Sequence, residues 1–238
     1  MRRDFFYIPF SLKFLLLLVF IMFFGLSSLF MGIVISTFMK IGFSTEDAFL
    51  ILILSLLGSS INIPLLTLSS EVPVLRDRYV RVFGVSYRVP IQRLMRNETV
   101  IAVNVGGAII PVLISVYLLT QFPSSLYPAG IGIIIVSIIT YFVAKPVQGV
   151  GIVTPALIPP LTATLVAILL PLFIQTGCPI DQCRVITAYT GGVLGTLIGA
   201  DLLNLRKIKA LGAPVASIGG AGTFDGIFLS GFIALLLI

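Results

Sequence analysis

The sequence predicts an all-α polytopic membrane protein of about seven transmembrane helices, several broken by proline or glycine, with a small cytoplasmic β-hairpin loop. Three observations predict it. Only 10% of the 238 residues are charged and 58% are hydrophobic, whereas a soluble domain carries about 25% charged residues to cover its surface. Mean hydropathy is +1.17, and several apolar runs exceed the ~20 residues that cross a bilayer as helix. The positive charges, finally, fall almost wholly on one side of the expected spans. The chain reads as one integral membrane domain over 1–238, interrupted by a cytoplasmic loop over 71–98.

The N-terminal stretch MRRDFFYIPFSLKFLLLLVFIMFFGLSSLFMGIVI begins as a signal peptide would, with basic residues before an apolar run. Signal h-regions, however, span only about 7–15 residues. Here the run goes from Phe14 past Ile35 without a small-residue cleavage site, so it reads as a retained first helix. The further spans are 48–70, 99–121, 129–145, 155–175, 185–204 and 214–238, after a first at 14–38. With the N-terminus in the cytoplasm, thirteen of the fifteen Lys and Arg lie inside: Arg2, Arg3, Lys13, those from Arg76 to Arg96, Lys145, Arg206, Lys207 and Lys209. Only Lys40 and Arg184 lie outside. The positive-inside rule then gives a multi-pass cell-membrane (plasma membrane) protein with a cytoplasmic N-terminus and its C-terminus outside. A pI of 9.6 reads as attraction to anionic headgroups, with membrane lipids as partners and no nucleic acid. The chain has no His and no Trp, which removes the commonest general base and a common zinc ligand. No cofactor is expected.

The loop RDRYVRVFGVSYRVPIQRLMR alternates around Gly84 as a short β-hairpin does, and IQRLMR reads as an amphipathic turn on the membrane surface. It serves as a topology signal gripping headgroups or, alternatively, as a gate that receives substrate. Three spans are interrupted: SSINIPLL by Asn62 and Pro64, NVGGAIIPV by Asn104, Gly106, Gly107 and Pro111, and GIVTPALIPPL by Pro155, Pro159 and Pro160. Proline frees a backbone carbonyl, which a bilayer tolerates only against protein or a watered cavity. The interruptions therefore suggest a polar interior, or else kinked helices that merely pack. Cys178 and Cys183 in TGCPIDQCR fall outside, where a disulfide forms readily, although two free thiols in a tight loop fit the spacing equally.

In the sixth span, AYTGGVLGTLIGADLL, Gly191, Gly195 and Gly199 make a small-residue stripe, with Gly192, Thr196 and Ala200 beside it. Such stripes bring helices close together. Asp201 follows directly. A second acid, Asp225, sits in GGAGTFDGIF at the head of the last span. From Asp225 to Ile238 is 14 residues, ~21 Å of helix against a ~30 Å hydrocarbon core, so SIGGAG must enter the membrane too, extended or loosely helical. Each acid has an ordinary explanation. Thr223 can cap a helix whose first turn holds Asp225, and Asp201 can snorkel to the interface or pair with Arg206 or Lys207. Both nonetheless fall in the cytoplasmic half of consecutive spans. Two carboxylates a few ångströms apart share a proton, and such a pair can activate water while protonating a leaving group.

The run from NVGGAIIPV through PALIPPL to GTLIGADLLNL and GGAGTFDGIFLSGFIA resembles an uncharacterised family of prokaryotic multi-pass proteins, domain of unknown function 1614, over about 60–238. Membership implies no function. Gly199-Ala200-Asp201 is similar to the Gly-x-Gly-Asp signature of presenilin-like and prepilin-type aspartyl proteases, and Pro155-Ala156-Leu157 to the presenilin proline-alanine-leucine motif. Here Gly-Ala replaces Gly-x-Gly, and the proline motif precedes both acids. That resemblance implies an intramembrane aspartyl hydrolase with Asp201 and Asp225 as its dyad. Asn62, Asn104, Gly106, Gly107, Pro155, Pro159, Pro160, Gly199, Gly222 and Thr223 would then shape the substrate site for a membrane-embedded peptide. Two alternatives use the same acids: a proton- or cation-coupled transporter or channel for a small solute or ion, and a magnesium-dependent lipid-phosphate enzyme.

Overall fold

The computed structural model describes residues 11–82, 85–147, 151–174, 177–208, 214–220 and 226–238, with backbone alone over 70–97. It is mostly helical. Helix α1 (Leu12–Met39) is capped by Ser11, whose side chain accepts the Phe14 N–H. A turn through Gly42, at φ +96°, leads to α2 (Thr45–Gly58). There Ser44 caps the helix, and Glu46 and Asp47 in the first turn complement its dipole.

The second expected span, 48–70, is helix only as far as Gly58, and a strand begins at Asn62. The reason lies in SSINIP. Pro64 lacks the N–H a helix needs and pushes the residue before it to extended backbone. Strand β1 (Asn62–Val82) pairs antiparallel with β2 (Val85–Asn104), from Asn62 opposite Asn104 to Val82 opposite Val85. The expected hairpin is therefore present but far longer than its loop. IQRLMR belongs to β2, with Ile91 opposite Arg76 and Arg96 opposite Glu71, where a surface helical turn was expected. The all-α expectation is corrected on the same ground, because apolar, β-branched runs such as TVIAVN suit a pleated ladder as well as a helix.

Beyond Asn104 the chain makes a π-helical turn (Val105–Ile109) and continues as α3 (Ile110–Gln121). A 3-10 turn at Pro123–Ser125 leads to α4 (Leu126–Val143), and a two-stranded ribbon, β3 (Lys145–Val147) with β4 (Gly151–Val153), to α5 (Ile158–Phe173). Helix α6 (Ile180–Thr196) runs into a second π-helical turn (Leu197–Leu202) and the short α7 (Leu205–Ile208). Strand β5 (Val215–Ile218) joins the hairpin parallel to β2, as the end strand of a sheet ordered β1-β2-β5. Gly219 and Gly220 follow at φ +82° and +92°, the left-handed region that glycine adopts at no steric cost. The chain's last described helix is α8 (Gly226–Leu236).

Among the described residues, three helical stretches are long and apolar enough to cross a membrane: Leu12–Met39, Pro123–Val143 and Ile180–Leu202. Val105–Gln121, Ile158–Phe173 and Gly226–Leu236 are apolar but shorter; NVGGAIIPV and GIVTPALIPPL lie at the starts of the first two, whereas SSINIPLL ends α2 and opens β1.

Helix α6 is the centre of the bundle. Its stripe faces α4: a Cβ built on Gly195 would lie 2.6 Å from Val136 Cβ, and one on Gly199 would overlap the Ser137 carbonyl oxygen. The neighbouring row faces α8, where Gly192 meets Ser230 and Gly231 and Thr196 Oγ1 donates to Ser230 Oγ at 2.9 Å. Tyr189 packs edge-on against Phe38, which also meets Phe228 and Phe232. Both rows of small residues read from the sequence are thus helix contacts.

Candidate functional site

The π-helical turn at Leu197–Leu202 sets the position of Asp201. It widens the helix just past the close contact with α4, and such turns are frequent at functional sites. Its end is fastened by Asn204, fully buried, whose Nδ2 donates to the carbonyls of Gly199 and Ala200, both at 3.0 Å. Lys207, on α7, lies over the Tyr141 ring at 4.8 Å.

Asp201 is half-buried and lines two cavities. The first, of about 330 Å³, lies between β5, β4 and the foot of the hairpin, and Asn62, Ile152, Asp201, Ser217 and Gly220 are among its walls. The second, of about 300 Å³, lies between the start of α5, the end of α6 and the start of α8. Pro155, Ala156, Pro159, Thr196, Ala200 and Gly226 line it with Asp201. Ile152 belongs to both walls, so Asp201 and Ile152 together divide the two spaces.

Of the residues singled out from sequence, Asn62, Pro155, Pro159 and Asp201 meet around these cavities. Asn104, Gly106, Gly107, Pro160 and Gly199 are not among the residues lining either one. Asn104 is buried and its amide is fully engaged: Nδ2 donates to the Ser59 carbonyl at 2.7 Å and to Asn62 Oδ1 at 3.1 Å, while Oδ1 accepts the Gly107 N–H at 2.7 Å. It caps the first π-helical turn and holds Asn62 at the cavity wall. Asn62 Oδ1 also accepts from Ser217 Oγ at 2.6 Å, tying the hairpin to β5. Gly106 is a packing residue, since a Cβ there would overlap the Ser55 carbonyl. Pro160 and Gly199 are buried in helix contacts. Gly222, Thr223 and Asp225 lie outside the described residues. Sequence reasoning missed Ile152, Ala156, Ser217 and Gly220. All four sit in stretches already singled out, Ile152 and Ala156 in GIVTPALIPPL and Ser217 and Gly220 in SIGGAG, but Ile152 and Ser217 reach the wall on strands β4 and β5, which no local pattern announces.

At the other end of α6, Cys178 and Cys183 are joined in a disulfide, with Cα atoms 5.9 Å apart. A cavity of about 280 Å³ there is lined by Lys40, Phe122, Asp181 and Ile186, and Lys40 Nζ donates to the carbonyls of Leu235 and Leu236 at 3.4 and 3.3 Å. Among the described residues no three His, Cys, Asp or Glu gather as metal ligands would.

Fold and composition together fit a helical membrane protein with an acid-bearing pair of cavities at one end of its bundle. The chain belongs to a family described as protein of unknown function (DUF1614), whose model matches residues 56–237. No curated protein and no solved structure matches it.

Proposed function

We propose that the protein is an intramembrane aspartyl-type hydrolase acting on a membrane-embedded peptide, with Asp201 and Asp225 sharing one proton. The observation that carries this reading is Asp201 on the common wall of two cavities, one bordered by strands, the other by Pro155, Ala156 and Pro159. Asp225 immediately precedes Gly226, which lines the second cavity. Strands beside the acid suit a peptide, because an extended main chain binds by adding to strands. The chemistry needs one water. The ionised carboxylate takes a proton from water as its oxygen adds to the peptide carbonyl carbon, and the protonated acid gives its proton to the carbonyl oxygen. On collapse the C–N bond breaks. The amine leaves with the proton held by the first acid, while a hydroxyl of the adduct returns one to the second.

Seven crossings of alternating direction, with the N-terminus inside and the C-terminus outside the cell membrane, belong to the same proposal. Such alternation brings residues 40, 122, 181 and 235 to one face and 62, 152, 201 and 215 to the other. These are the two groups that line cavities or bond at opposite ends of α6. A single cysteine at Val74 should be labelled from the cytoplasm and one at Ile180 from outside; the reverse result overturns the orientation.

A second reading, an ion-coupled transporter, is favoured by one observation. The cavities at the two ends of α6 are separated by the Phe38, Tyr189, Phe228 and Phe232 cluster, the arrangement alternating access requires. Purified protein in liposomes separates the two. Cleavage of labelled membrane-span peptides, lost at least a hundredfold in Asp201→Asn and in Asp225→Asn with unfolding temperatures unchanged or raised, is expected for the hydrolase. Solute flux driven by a pH gradient without cleavage favours the transporter. If both variants keep full activity, the paired acids are excluded from either role.

A further inference from the structure

The proposed chemistry makes no use of the hairpin beyond its foot. The hairpin's register runs unbroken from Leu66 opposite Ile101 to Val82 opposite Val85. Residues directly opposite one another share a face, as do alternate residues along each strand. Register and sequence together therefore divide Ser70–Val82 and Val85–Asn97 between two faces.

The division is uneven. Every Val and Ile of these two stretches falls on one face, with Tyr87, Met95 and three arginines, Arg76, Arg78 and Arg93. No acid falls there. The opposite face takes both prolines, Pro73 and Pro90, and sets Arg81, Arg88 and Arg96 against Glu71, Asp77 and, one row below, Glu98. One face is apolar and cationic, the other polar and balanced.

The arginines of the apolar face occupy three consecutive rows of it: Val74 with Arg93, Arg76 with Ile91, and Arg78 with Val89. Rows on one face are about 7 Å apart, so the three lie within about 14 Å along the strands. Neighbouring like charges on a sheet face repel, and the apolar residues among them gain by leaving water. An anionic layer with an apolar one behind it relieves both.

At the hairpin's root this same face is covered. There Thr99 and Ile101 are buried and Leu68 packs against the core of the bundle, whereas Thr67, Ser69 and Glu98 on the other face are exposed. The anionic surface nearest to a helical membrane protein is the headgroup layer of its own bilayer. We propose that the Arg76, Arg78 and Arg93 face of the hairpin docks on anionic lipid. The arginines engage headgroup phosphates, and the Val, Ile, Tyr and Met residues reach the acyl boundary. The docking is independent of whether the protein hydrolyses peptides.

The test uses purified full-length protein in phosphatidylcholine–phosphatidylglycerol vesicles whose headgroups carry a nitroxide quencher. Cys178 and Cys183 are joined, so one added cysteine takes a bimane label alone. Quenching should be several-fold stronger for Val80→Cys and Val89→Cys than for Tyr79→Cys and Arg88→Cys. It should fall in phosphatidylcholine alone and, in the wild-type background, at high salt, which needs no further substitution. With the label at residue 80, each of Arg76→Gln, Arg78→Gln and Arg93→Gln should weaken docking roughly fivefold. Arg81→Gln, Arg88→Gln and Arg96→Gln together should leave it unchanged. Equal quenching on the two faces, or quenching indifferent to anionic lipid and salt, overturns the proposal. So does shielding of residue 80 that grows with protein density and not with anionic lipid, the mark of a second copy.

Discussion

Helix α1 and the span built on α6 stand at opposite ends of one scale. The most apolar window of α1 has a mean hydropathy of 2.6 and none of it is buried, with Phe20, Phe23 and Phe24 all about two-thirds exposed. Ile180–Leu202 has a mean hydropathy of 1.3, and 67% of its window is buried. A soluble protein reverses this order, because water selects the polar face outward. Lipid tails are as apolar as leucine, so burial between helices is driven by close packing and polar contacts instead. The least oily span is the central one because its glycines let α4 and α8 come close, and its threonines and Asp201 are sheltered there.

The comparison breaks or holds with paired substitutions. Gly195→Leu drives a side chain into Val136, whose Cβ lies 2.6 Å from where the new Cβ must go. A loss of at least about 3 kcal/mol, or misassembly, is expected as a low folded yield and a lowered midpoint in detergent. Gly25→Leu on α1 meets nothing within 4 Å and should move stability by no more than about 0.5 kcal/mol. Equal effects would mean that α6 faces lipid. At the far end of α6, Cys178→Ser with Cys183→Ser opens a loop with a sequence separation of 5 and should cost about 2 kcal/mol; reducing agent should do the same to the wild type and nothing to the variant. Thr196→Val leaves the buried Ser230 hydroxyl without its partner and should cost about 1 kcal/mol, recovered in part by Ser230→Ala in the same chain.

Hydropathy made α1, α4 and α6 legible as helices, and proline and glycine marked where the shorter spans break. The strands were harder. The run from Ile51 to Leu68 is mostly apolar, with Ser55, Ser59, Ser60, Asn62 and Thr67 spread through it at no clear period, so period alone cannot tell helix from strand there. The change at Asn62 depends on pairing with Asn104 forty-two residues on. Asp201 stood out because acids are rare inside apolar spans, and Pro155 and Pro159 because they interrupt one. Ser217 and Ile152 reach the same walls through β5 and β4, and their roles follow from contacts between distant segments that no local window contains.

Strand β5 lies parallel to β2, with Val100 opposite Val215, so the two are made far apart in time. At ribosomal rates of about 5–20 residues per second, the hairpin waits many seconds with its β2 edge bare until Val215 to Ile218 emerge. An uncovered edge is where foreign strands attach. The newborn chain is therefore most vulnerable in that interval, and the wall of the first cavity closes only when it is over.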